Sequence, residues 1–197
     1  MIVETFKNVS RNDALAYFYC KYGESDRNDP EPILRTIVKQ LSIVDSGSPL
    51  PEAVVSLYRK HKKDGFKSGK LQVDESKNLI TQLTEGFHET IIVIDALDEC
   101  DKGSRDKLLD ALKSILEEET RRVKVFVTSR DDDDIVLHLS GVPNVYIQSS
   151  DNSSDIKTFI EGEVEQCILK KKLLRGSVDP ELKELITSTL ANKAQGM

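Results

Sequence analysis

Three acidic residues directly follow a run of branched apolar residues. Residues 91–94 are all isoleucine or valine, and Asp95, Asp98 and Glu99 come after them. Such a run predicts a buried strand, and ligands of open α/β sheets bind outside the carboxyl ends of strands. A carboxylate there can hold Mg²⁺, and a second one can orient the water that attacks a γ-phosphate. The pattern therefore indicates a metal-and-water site. The competing interpretation is a turn cap followed by the acidic first turn of a helix.

A second predicted strand ends in polar residues and an arginine. Residues 123–128 run into Ser129 and Arg130. If this strand lies beside the first one, Arg130 projects toward the same crevice as Asp95, where a guanidinium can neutralise phosphate charge. The alternative is a salt bridge from Arg130 to Asp131 or another nearby acid.

The elements that position these residues follow from the spacing of apolar side chains. Residues rich in β-branched and aromatic types predict strands at 14–20, 90–95, 123–128 and 144–148. Helical spacing predicts helices around the apolar stripes 33–41 and 108–116, and at 51–63, 74–87, 155–171 and 179–193. Strands that alternate with helices predict an α/β fold with a parallel sheet that helices cover on both faces.

Two polar stretches mark boundaries along the chain. Residues 131–134 are four aspartates, which we expect at a helix N-terminus because the macrodipole favours negative charge there. Metal binding by this run is the weaker alternative, because consecutive helical residues fan around the axis. Residues 149–154 form a polar break, which predicts a core domain at 1–150 and a helical segment at 151–197.

The composition excludes several classes of function. The net charge of −6 argues against general nucleic-acid binding. Cys20, Cys100 and Cys167 form no C-x-x-C pair, so we expect neither a zinc site nor a disulfide framework. No apolar run approaches the roughly 20 residues that span a bilayer, and the start lacks the pattern of a signal peptide. These features predict a soluble, cytoplasmic chain with no nucleic-acid or membrane partner.

The motif D-A-L-D-E-C after an apolar strand, followed by a strand that ends in T-S-R, resembles the NACHT class of STAND P-loop NTPases. The likeness is greatest to fungal NACHT and nephrocystin-like N-terminal domains. Residues 16–20, 34–41, 154–156 and 194–197 agree with the same pattern, so the resemblance runs through nearly the whole chain. It implies a three-layer, ASCE-type P-loop NTPase fold. It also implies a part in signal transduction of the innate-immunity-like kind.

The resemblance also implies a role for each residue of the site. Asp95 would be the Walker B acid that holds Mg²⁺ through water. Asp98 and Glu99 would be the extended acidic pair, one of which activates the attacking water. Arg130 would be the sensor arginine that reports the γ-phosphate. The implied cofactors are ATP and Mg²⁺.

The phosphate-binding loop of such NTPases, G-x-x-x-x-G-K-[ST], has no counterpart in these 197 residues. In that loop, backbone N–H groups and the lysine cradle the phosphates. Residues 65–71 imitate it, but they are one residue short between the glycines and have Leu71 where Ser or Thr is required. The resemblance places residues 1–9 at the tail of the helix that follows the loop. The expectation is therefore a partial domain, truncated after the Walker A motif, whose ATP binding is degenerate.

The missing loop has consequences for stability and for function. In the family resembled, the P-loop strand is central to the sheet, so its loss would leave residues 144–148 without a partner and an apolar edge exposed. We expect a marginally stable chain that self-associates or pairs with longer NACHT proteins. Three functions compete: a signalling NTPase domain that is inactive alone, a non-catalytic interaction module that pairs with full-length NACHT proteins, and a carboxylate-metal phosphohydrolase or nuclease. The last lacks the additional ligands that such enzymes need.

Overall fold

A computed structural model describes residues 12–43, 49–65, 70–117, 123–148 and 151–194 of the chain. Four sequence features lie wholly or partly outside these residues: the expected helix tail at 1–9, the P-loop imitation at 65–71, the polar break at 149–154 and the closing motif at 194–197. The elements are, in chain order, β1 (Asp13–Tyr19), α1 (Ser25–Asn28), α2 (Pro30–Ser42), α3 (Glu52–Lys63), α4 (Val73–Thr84), β2 (Glu89–Asp95), a 3₁₀ turn (Leu97–Glu99), α5 (Arg105–Leu116), β3 (Val123–Val127), α6 (Asp133–His138), α7 (Ser153–Leu169), a second 3₁₀ turn (Leu174–Gly176) and α8 (Pro180–Ala194).

The three strands form one parallel sheet in the order β1-β2-β3. Tyr19 lies opposite Asp95, and Ile94 lies opposite Val127, so the carboxyl ends of the strands meet at one edge. Parallel strands need crossover connections, and helices lie in both of them. The predicted α/β class and parallel sheet are confirmed, and the condition that β2 and β3 are neighbours is met.

The hydrophobic core lies between one face of the sheet and helices α2, α4 and α5. Successive side chains of a strand point to opposite faces, so alternate residues of each strand reach this core. The strand residues of the core are Ala14, Ala16, Phe18, Ile92, Ile94, Val123, Val125 and Val127. The helices contribute Ile33, Leu34, Ile37, Val38, Leu41, Leu79, Ile80, Leu83, Leu108, Leu109, Leu112 and Ile115.

Of the three described strands, only the central one is buried on both faces. On the second face, Val93 of β2 is 3% exposed, whereas its neighbours Tyr17 of β1 and Phe126 of β3 are 37% and 42% exposed. In the described part of the chain, the expected helical cover of both faces is therefore incomplete over β1 and β3. Both are edge strands of the described sheet, and edge positions are less covered than central ones.

The predicted fourth strand is wrong. Residues 144–148 lie in no strand, and Val145 and Ile147 are 90% and 79% exposed. The N–H of Gln148 donates to Asp151 Oδ2 at 2.8 Å, a local turn contact rather than a ladder bond. An apolar run forms a strand only when a partner strand takes up its backbone groups, and none of the described strands pairs with this one.

Two helices begin at an Asp-Pro pair. Pro30 and Pro180 are the first residues of α2 and α8, each after an aspartate. Asp179 caps α8, because its Oδ1 accepts from the N–H of Leu182 at 2.9 Å. The end of α4 comes at Thr84, three residues before the predicted end, where the chain enters a tight turn.

The chain divides into two compact units, residues 1–140 and residues 141–197. In the second unit, α7 and α8 pack against each other. The expected division into a core domain at 1–150 and a helical segment at 151–197 stays a prediction. Every helix in the described part of the chain is too short or too polar to cross a membrane.

Candidate functional site

A hydrogen-bonded pair, Asp95 and Thr128, joins the carboxyl ends of β2 and β3. The Thr128 hydroxyl donates to Asp95 Oδ1 and accepts from the N–H of Ala96 at 2.9 Å. The backbone continues the link, because the N–H of Leu97 donates to the Thr128 carbonyl at 2.9 Å. Asp95 Oδ1 is thus committed to the protein, while Oδ2 has no hydrogen-bond partner among the described residues.

The turn after β2 has an unusual backbone at Ala96. This residue has φ 55° and ψ 52°, the left-handed region that favours glycine. Such a conformation costs about 1–3 kcal/mol and persists where the surroundings enforce it, often at functional sites. Here the Thr128 contacts on one side and the fully buried Leu97 on the other hold the turn. The left-handed conformation of Ala96 turns the chain from β2 into the 3₁₀ turn that carries Asp98 and Glu99.

Asp98 and Arg130 meet across the two strand ends. The N–H of Arg130 donates to Asp98 Oδ1 at 3.2 Å, and Arg130 Nε lies 3.7 Å from Asp98 Oδ2. The alternative interpretation, a salt bridge from Arg130 to Asp131 or another nearby acid, therefore holds with Asp98 as the partner. The Arg130 side chain is 87% exposed, so this ion pair adds little stability and leaves the guanidinium accessible to an anion.

Glu99 faces the end of β1 rather than Arg130. Its Oε2 accepts from the N–H of Tyr22 at 3.1 Å. The structure thus brings Asp95, Asp98 and Arg130 to the β2–β3 edge, with Glu99 on the β1 side of the same turn.

The acidic turn also affects the thiol beneath it. Burial raises the pKa of Cys20 to about 12, and the negative charges of Cys100, Asp95 and Glu99 add to this effect. Burial raises the pKa of Cys100 to about 11. Both thiols are therefore interior and unreactive, as their isolation in the sequence indicates.

Sequence reasoning missed Arg105, the first residue of α5. Its side chain is 0% exposed and pairs with Asp132 and Asp134. Burial opposes its charge, but the hydrogen bonds that it donates to Asp134 and Asp132 outweigh that effect and raise the pKa of the guanidinium. A signal existed, because Arg105 precedes Leu108, Leu109 and Leu112 at the helical spacing of the buried stripe.

The aspartate run at 131–134 does begin a helix, as predicted, but two of its side chains have another task. Asp132 flanks α6, and Asp133 and Asp134 lie in its first turn, yet no side chain caps the helix. Instead Asp132 binds Lys102 Nζ at 3.0 Å and, with Asp134, the Arg105 guanidinium. These ion pairs lower the pKa of Asp132.

The carboxylate oxygens at this edge of the sheet suit a Mg²⁺ ion that is held by one or two carboxylates and several waters. Mg²⁺ dehydrates reluctantly, and proteins commonly hold it through one or two carboxylates. Among the described residues, no group of three or more His, Cys, Asp or Glu side chains is arranged to cage a metal ion. Asp95 Oδ2 remains as an acceptor for a metal-bound water, which fits the role expected of Asp95. That role stays a prediction.

Comparison with known families identifies a match over most of the first unit. A family model described as Nephrocystin 3, N-terminal matches residues 1–130. The matched stretch includes Asp95, Asp98, Glu99 and Arg130, and thus both strand ends of the site. No curated protein and no solved structure gives a significant match to the chain.

Proposed function

This chain belongs to the nephrocystin 3 N-terminal family, and we propose that it is a NACHT-type signalling domain derived from a STAND P-loop ATPase. The observation that carries the proposal is the convergence of Asp95, Asp98 and Arg130 at the carboxyl edge of two neighbouring parallel strands. Ligands of open α/β sheets bind at this edge.

Each side chain of the site has a proposed role that matches its surroundings. Asp95, half-buried and with Oδ2 unpaired among the described side chains, holds Mg²⁺ through water. Asp98 or Glu99 orients the attacking water, and the exposed Arg130 guanidinium faces the γ-phosphate. When bound, Mg²⁺ supplies the positive charge that phosphate oxygens require.

The phosphate half of the site is the part that these residues do not supply. The sequence contains no G-x-x-x-x-G-K-[ST] loop, whose backbone N–H groups and lysine give P-loop NTPases most of their grip on the triphosphate. We therefore propose that the chain neither binds nor hydrolyses ATP by itself and retains only the metal and water side of the site.

Titration with a fluorescent ATP analogue in Mg²⁺ tests this proposal. The chain, shown to be folded by circular dichroism, is titrated to millimolar nucleotide beside Asp95→Asn and the matched control Asp110→Asn, an exposed acid of α5. We expect no saturable binding by any of the three. Saturable binding that is weakened by Asp95→Asn but not by Asp110→Asn would mean that a phosphate site exists. The proposal that the chain does not bind ATP by itself would then be wrong.

A second candidate is a non-catalytic interaction module that pairs with a longer, P-loop-containing relative. The observation that favours it is the exposed apolar run in the second unit, where Val145 is 90% and Ile147 is 79% exposed. Co-elution with such a relative in size-exclusion chromatography, lost on Ile147→Asn, is the expected result. Separate elution at micromolar concentrations of both proteins would count against it.

A further inference from the structure

Arg105 is buried with its charge, and all of its donors are paired. Its Nη1 donates to the carbonyls of Leu97 at 3.3 Å and Asp98 at 3.2 Å. Its Nε and Nη2 donate to the two carboxylate oxygens of Asp134 at 2.9 and 2.8 Å, and Nη2 also donates to Asp132 Oδ2 at 3.1 Å. A guanidinium has five N–H donors in a fixed fork, so none is left unsatisfied.

The acceptors of Arg105 come from the two segments that form the candidate site. Leu97 and Asp98 belong to the acidic turn after β2, and Asp132 and Asp134 follow Arg130 after β3. The buried Arg105 guanidinium therefore connects the acidic turn to the start of α6. Asp98 and Arg130 connect the same two segments through a more exposed contact.

We propose that Arg105 is a positioning residue for this site: it fixes the separation between the acidic turn and the segment that carries Arg130. The importance of that separation rests on the proposed function, but the contact itself needs neither metal nor nucleotide. Lysine keeps the charge of arginine but lacks the planar fork, so it cannot satisfy two carbonyls and two carboxylates at once.

The test is amide hydrogen exchange in the full chain, compared between wild type, Arg105→Lys and Lys102→Gln. Lys102 binds the same Asp132 from the surface, with a side chain that is 70% exposed, and is the matched control. We expect Arg105→Lys to speed exchange at the Arg130 N–H about five- to tenfold, the equivalent of one lost hydrogen bond. Lys102→Gln should leave that amide unchanged.

Exchange at Ile37, in the fully buried part of α2, separates positioning from general destabilisation. A purely structural role predicts equal acceleration at Ile37 and Arg130, and that result would overturn the proposal. If Arg105→Lys does not fold, exchange is measured in Asp134→Asn instead. An unchanged exchange rate at the Arg130 N–H in that variant, once it is shown to be folded, also overturns the proposal. Metal binding at Asp95 is measured separately on the wild-type chain, so its absence would remove the proposed function and leave the exchange result standing.

Discussion

At the residue scale, the Thr128 hydroxyl does the most to join the two strand ends, because it serves Asp95 and Ala96 at once. Thr128→Val keeps the shape but leaves a half-buried carboxylate oxygen and an N–H without their partner. We expect a loss of about 1–3 kcal/mol in the free energy of unfolding, measured in urea. Thr128→Ser keeps the hydroxyl and should lose less than about 1 kcal/mol. Equal losses in the two variants would show that the hydroxyl is not the cause.

The thiols offer a second residue-scale prediction, which depends on pKa. With pKa values of about 12 and about 11, Cys20 and Cys100 carry very little thiolate at pH 8, and both are buried. Cys167 is more exposed. Iodoacetamide at pH 8 should therefore label Cys167 first, as followed by mass spectrometry. Labelling of Cys20 or Cys100 at the rate of Cys167 in the native chain would contradict the described burial.

At the scale of elements, β2 and the run at 144–148 have similar compositions but different surroundings. Ile94 is 0% exposed in the sheet, and Ile147 is 79% exposed outside it. Ile94→Ala should cost about 2–5 kcal/mol of stability through lost packing and a cavity. Ile147→Ala should stay within about 0.5 kcal/mol. Chemical denaturation measures both, and a cost at Ile147 as large as that at Ile94 would mean that this run packs in solution.

The same comparison shows what could be predicted from the sequence. Local signals, such as the apolar run of β2 and the Asp-Pro helix starts, predicted the three strands, the α/β class and the neighbouring acids of the site. Residues 144–148 also carry a local strand signal, but a strand needs a partner. The family resemblance implied that these residues would lack theirs, and they form no strand. The exposure of Tyr17 depends on which elements cover the second face of the sheet, which local composition does not reveal.

Site contacts between distant segments were the hardest to foresee. Arg105 was overlooked because an arginine at a helix start is typically a surface residue. Its partners Asp132 and Asp134 lie 27 and 29 positions further along the chain. The Arg130 partner was open for a similar reason, since only the strand register places Asp98 closer than Asp131.

At the scale of the whole molecule, large apolar side chains on the second unit predict self-association. Phe159 of α7 is 68% exposed, and Val145 and Ile147 are more exposed still. Sedimentation velocity should show association that grows with concentration, and Phe159→Ser should weaken it. Leu137→Ser, which removes an apolar side chain of the first unit that is 74% exposed, is the control. A monomer at all concentrations that unfolds cooperatively above about 60 °C would contradict the expectation of a marginal, associating chain.

Paramagnetic broadening by Mn²⁺, which replaces Mg²⁺ at carboxylate sites, shows in amide spectra of the full chain whether the edge around Asp95 binds a metal. We expect low Mn²⁺ to broaden the amide signals of Ala96, Asp98 and Arg130 first, because all three lie at the strand ends around Asp95. Asp95→Asn should abolish this pattern, and Asp110→Asn should preserve it. Broadening that begins elsewhere, or that survives Asp95→Asn unchanged, would contradict the claim that this edge of the sheet is a metal site.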